Sequence, residues 1–66
     1  MKGNLLKAKL IEKGHEVKEL SKVLNVSMNT TYKKINREVP ILDYEIRLIS
    51  DFLNLTNDEI VKIFFS

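Results

Sequence analysis

The sequence predicts an all-α fold, a compact five-helix single domain, and three observations lead there. Only two glycines and one proline occur among 66 residues, too few for a strand-and-turn architecture. Apolar residues recur at three- and four-residue spacings along most of the chain, the period of a helix with one buried face. Residues that start or stop helices, among them Gly14, Asn25, Ser27, Pro40 and Thr56, punctuate these segments at short intervals.

The first helix is expected over roughly residues 4–13, with Leu5, Leu6, Ala8, Leu10 and Ile11 recurring between lysines and a glutamate. Gly14 then stands where helices end in a left-handed residue. The second helix, roughly 17–24, sets Leu20, Val23 and Leu24 at i, i+3, i+4 and keeps Lys18, Glu19 and Lys22 outside. Its Ser21 is small enough for a close helix crossing, and Asn25 tolerates the left-handed turn that follows. Ser27 caps a third helix of roughly 28–36, with Thr31 and Ile35 inward and Met28, Asn29, Tyr32 and Lys33 outward.

A loop at Arg37–Pro40 follows, because proline keeps Val39 out of helical geometry. The fourth helix, roughly 42–53, carries two apolar stripes. One is Leu42, Ile46, Ile49 and Leu53, the other Tyr44, Leu48 and Phe52, which predicts a central position. Thr56 to Glu59 reads as a capping box. It opens a fifth helix over roughly 57–64, with Ile60, Ile63 and Phe64 inward and Val61 and Phe65 left over.

Charge is strongly polarised. Residues 1–37 hold nine basic and three acidic side chains, a balance of +6, while residues 38–66 hold two basic and six acidic ones, a balance of −4. The net charge of +2 hides this division. Two short helices joined by a tight turn, the second polar and ending in basic residues, form a helix-turn-helix between Val17 and Arg37. Such a motif sets its second helix in the DNA major groove, and a basic half-molecule is the matching electrostatic footprint.

The stretch LSKVLNVS, followed by TYKKIN, by DYEIRLISDFLNL and by TNDEIVKIFF, resembles the lambda-type phage repressor and Cro family. In that family a small residue stands at the position of Ser21, a glycine at that of Asn25, and a hydrophobic residue and a capping hydroxyl at those of Val26 and Ser27. The resemblance covers nearly the whole chain and implies a short, prophage-encoded regulator with no room for a sensing or catalytic domain. Three departures mark the sequence. Val17 replaces a backbone-binding glutamine, Arg37 replaces the usual glycine after the third helix, and Lys34 stands where many members keep an apolar residue.

On this reading Met28, Asn29, Tyr32 and Lys33 contact bases. Asn29 suits adenine, whose N6 and N7 a carboxamide bonds together, and Met28 suits a thymine methyl. Lys18, Ser27, Lys34, Asn36 and Arg37 contact phosphates, which position the protein without reading sequence. Val61 and Phe65 have two readings: partial burial against the first helix, or a homodimer seam that matches two half-sites.

Other classes find little support. The chain has no cysteine and one histidine, so disulfides and thiolate zinc sites are excluded and an ordinary metal site is not expected. His15 lacks an orienting group or nucleophile beside it and reads as a surface loop residue. No enzyme and no cofactor are expected. No apolar run reaches the roughly 20 residues of a membrane span, and the N-terminus lacks a signal-peptide core, so a cytoplasmic protein without membrane contact is expected. The expected partner is double-stranded operator DNA. The rival is a protein-interaction module that binds a second phage repressor, or an antitoxin-like partner, and touches DNA little.

Overall fold

The computed structural model describes residues 3–65, and among them every regular element is an α-helix. These are α1 (Gly3–Glu12), α2 (Val17–Leu24), α3 (Met28–Ile35), α4 (Asp43–Leu53) and α5 (Asn57–Phe64). α2 packs on both α3 and α4, and α1 on α3 and α5. With α2 and α3 packed together across a three-residue turn, the domain contains a helix-turn-helix. Leu6 and Leu10 of α1, Leu20 and Leu24 of α2, Ile35 of α3, Ile49 and Leu53 of α4, and Ile63 and Phe64 of α5 form the core.

Four helices end in the same way. Gly14, Asn25, Arg37 and Asn54 each have positive φ. In each case the next amide bonds five residues back, His15 to Leu10, Val26 to Ser21, Glu38 to Lys33 and Leu55 to Ser50, at 2.8–3.1 Å. This closure satisfies carbonyls left open at a helix end and turns the chain sharply, so short helices can fold back on one core. Glycine takes that conformation without cost and asparagine at little cost, whereas Arg37 is an unusual occupant.

Helix starts are equally local. Ser27 Oγ accepts from the Thr30 amide at 3.1 Å. Thr56 Oγ1 accepts from the Glu59 amide at 3.2 Å, while Glu59 accepts from the Thr56 amide at 2.9 Å, the reciprocal capping box.

Burial departs from expectation at several positions. Ile11 is 64% exposed and lies off the inner stripe of α1, which consists of Leu6 and Leu10. α4 is not apolar-buried all round. Its inner face is Glu45, Ile49, Ser50 and Leu53, with Ile46 half-buried, while Leu42, Tyr44 and Leu48 are exposed. Only Phe52 of the second stripe turns partly inward, where its ring centroid lies 4.4 Å from that of His15. His15 is therefore not a plain surface residue. It is half-buried against Phe52, and its Nδ1 lies 2.9 Å from Glu19 Oε1. Among the described residues no helix is long and apolar enough to cross a membrane.

Candidate nucleic-acid interface

α3 is fixed on its inner side by Thr31, Lys34 and Ile35, all buried, with the Thr31 hydroxyl donating to the Ser27 carbonyl at 2.9 Å. That rotation leaves Asn29, Tyr32, Lys33 and Asn36 exposed at i, i+3, i+4 and i+7, a single continuous face, with Met28 beside it. Met28 and Tyr32 are 40% and 42% exposed, so both side chains are accessible from outside. Lys33 forms no ion pair among the described residues, so its ammonium is available to an outside anion.

Lys34 does not belong to this face, and the sequence-based assignment to phosphates is corrected. It is 8% exposed, and its Nζ donates to Glu45 Oε1 at 2.9 Å and to the Pro40 carbonyl at 3.1 Å. The cause is helical spacing: residue 34 shares the inward stripe with Thr31 and Ile35. Arg37 is exposed, but its guanidinium donates to the Ile63 carbonyl, so it is engaged at the end of α5.

The other residues expected to meet phosphate are Lys18, Ser27 and Asn36. All three are exposed, although Ser27 Oγ is occupied as the α3 cap. Lys22, at i+4 from Lys18, is exposed on the same side of α2 and adds a second lysine to that side, a neighbour its spacing could have indicated. The start of α2 is less inviting. The Glu16 amide donates to Glu19 Oε2 at 2.9 Å. Glu19 is held below its ordinary pKa by its hydrogen bond with His15 and then by that amide, so carboxylate charge sits where a phosphate would approach.

The charge division of the sequence is also partly cancelled in space. Lys9 bonds Glu59 at 2.8 Å and Glu12 at 3.2 Å, and Lys34 bonds Glu45, so acids of the second half draw two lysines away from the basic surface. Val61 and Phe65 are 55% and 65% exposed, which rules out their burial against α1 within one chain. No group of three or more His, Asp or Glu side chains that could hold a metal ion occurs among the described residues.

The fold and this face define a small all-α helix-turn-helix domain with a polar, outward-facing third helix. Comparison with protein-family models, curated proteins and solved structures finds no match for the chain.

Proposed function

We propose that this chain is a sequence-specific DNA-binding transcriptional regulator of the Cro/repressor type, acting in the cytoplasm by occupying an operator with α3 in the major groove. The observation that carries this reading is the α3 face of Asn29, Tyr32, Lys33 and Asn36. It is exposed along its length, held by a capped helix packed from behind, and free of internal ion pairs among the described residues. Its chemistry suits base edges: a carboxamide for adenine, a thioether for a thymine methyl, and an ammonium for guanine or phosphate. A homodimer joined through Val61 and Phe65 would read two half-sites, and promoter occlusion follows from occupancy alone. A phage or prophage origin rests on the family resemblance.

The test is an amide NMR titration of labelled protein with a mixed-sequence duplex at low salt, where non-specific binding is strong enough to see. Shifts concentrated at Lys18, Lys22 and Ser27–Asn36 support the reading. A saturating excess of duplex that leaves these amides unmoved defeats it.

A second reading has its own observation. The carboxylates of Glu16 and Glu19 at the start of α2 stand where phosphate is ordinarily received, and Val61 and Phe65 offer apolar surface to a protein. On that reading the chain binds a second regulator or an antitoxin-like partner, and the same titration returns shifts on α5 when the partner is added and none with DNA.

A further inference from the structure

Glu45 lies in the first turn of α4 with only 2% of its surface exposed. Its Oε1 accepts from Lys34 Nζ and from the Leu42 amide, both at 2.9 Å, and Lys34 Nζ also reaches the Pro40 carbonyl at 3.1 Å. These three bonds close the loop between α3 and α4 and fasten the last turn of one helix to the first turn of the next. A buried ion pair adds little stability over an apolar pair of similar volume, because the desolvation of both charges offsets their attraction. What it does supply is direction. Hydrogen bonds fix distance and angle, whereas hydrophobic contact is non-directional.

The geometry makes that direction consequential. Lys34 follows Lys33 immediately, so the rotation of α3 that seats Lys34 on Glu45 is the same rotation that turns Asn29, Lys33 and Asn36 outward. No other ion pair among the described residues joins α3 to another helix. We propose that Glu45 is a positioning residue for the DNA-reading face: acting through Lys34, it sets the rotation and tilt of α3, and Lys34 itself touches no phosphate. The proposal rests on the DNA reading above.

The decisive variant is Glu45→Gln, because charge and position predict opposite signs. Removing one carboxylate raises the net charge from +2 to +3, which by electrostatics alone tightens DNA binding. Loss of the directed pair misplaces α3 and weakens it. Affinity for a mixed-sequence duplex is measured by fluorescence anisotropy across a salt series, at a temperature where circular dichroism shows each variant fully folded. Lys33→Ala serves as the phosphate-contact control.

The expected result is that Glu45→Gln binds severalfold more weakly with a salt slope parallel to wild type, whereas Lys33→Ala flattens the slope by about 0.9. The double variant Lys34→Met/Glu45→Met, which leaves no buried charge unpaired, gives the same weakening and the parallel slope, and it keeps the test open if Glu45→Gln does not fold. Unchanged or tighter binding by folded Glu45→Gln overturns the proposal. So does a slope flattened by about 0.9 in the double variant, which would make Lys34 a phosphate ligand.

If wild type binds no duplex, the DNA reading fails by itself. The positioning role is then decided in the free protein. Amide shifts of Asn29, Lys33 and Asn36 in Glu45→Gln uphold it, and unmoved amides refute it.

Discussion

The Arg37 guanidinium donates to the Ile63 carbonyl, so the residue that ends α3 also fastens the last turn of α5. Its backbone sits at φ +65°, the left-handed conformation that the other three helix ends give to Gly14, Asn25 and Asn54. An ordinary L-residue there costs about 1–2 kcal/mol, and the bond from a charged donor to an open helix carbonyl offsets part of it. Two substitutions separate the terms. Arg37→Ala and Arg37→Gly both lose the Ile63 bond, but only glycine relieves the backbone. Arg37→Gly is therefore expected to be more stable than Arg37→Ala by about 1 kcal/mol in urea unfolding. Equal stabilities would sink the strain argument.

Ser27 has two assigned roles that a single change pulls apart. It caps α3 through the Thr30 amide, and Ser27→Ala should cost about 1 kcal/mol of stability. Ser27→Asp keeps an accepting oxygen and adds a favourable charge at the helix start, so stability is retained. If Ser27 also faces DNA phosphate, the new carboxylate repels it and affinity for a mixed-sequence duplex falls. Anisotropy showing wild-type affinity for Ser27→Asp would remove residue 27 from the interface.

The fold was largely legible because its punctuation is local. Gly14, Asn25, Ser27 and Thr56 each act on their own few neighbours, and the bounds of α2 and α5 match those read from the sequence. Periodicity could not say which of two apolar stripes on α4 meets the core, since Tyr44 and Leu48 carry the same hydrophobic signal as Ile49 and Leu53. The pairing of Lys34 with Glu45, eleven residues apart, is tertiary and leaves no mark in either segment. The direction of Lys34 was legible in principle, because it lies at i+3 from Thr31 and beside Ile35. A lysine among basic neighbours simply reads as surface. The outward set of Asn29, Tyr32 and Lys33 needed only the helical period, and the exposure of Lys22 follows from the same period, one turn beyond Lys18 on α2.

Acid should loosen the contact between α1 and α5. Glu59 is held down to about 2, first by the Lys9 ammonium and then by the Thr56 amide. A carboxyl whose folded pKa lies below its unfolded value stabilises the fold fully above the unfolded value. That contribution is lost as pH falls through the folded one. The window therefore runs from about 4.5 down to about 2. Glu19, lowered by His15 and the Glu16 amide, loses its share in the same direction. Glu59→Gln should be less stable than wild type at neutral pH and should converge on it as the window is crossed. Added salt should shrink the difference, because the pair is solvent-accessible. Denaturation midpoints that stay equally far apart from neutral pH to the bottom of the window would refute this.

Val61 and Phe65 lie one turn apart and exposed, and Phe65 borders a shallow depression shared with Ile46, Ile60 and Arg47, the last flanked by Asp43 and Asp51. Scattered apolar residues are ordinary on a surface, but a pair at i, i+4 beside half-buried isoleucines makes a patch. On a twofold axis the same patch meets itself, and an arginine between two aspartates can then face an aspartate of the partner. Phe65→Glu would set a carboxylate near its own copy across that axis, at a site too exposed to disturb the core. The expected outcome is wild type sedimenting as a dimer at high protein concentration and Phe65→Glu as a monomer of unchanged helicity. The monomeric variant should also bind a duplex carrying two half-sites more weakly, since each copy then engages alone. Wild type that remains monomeric at every concentration, with or without DNA, would leave Val61 and Phe65 without this role.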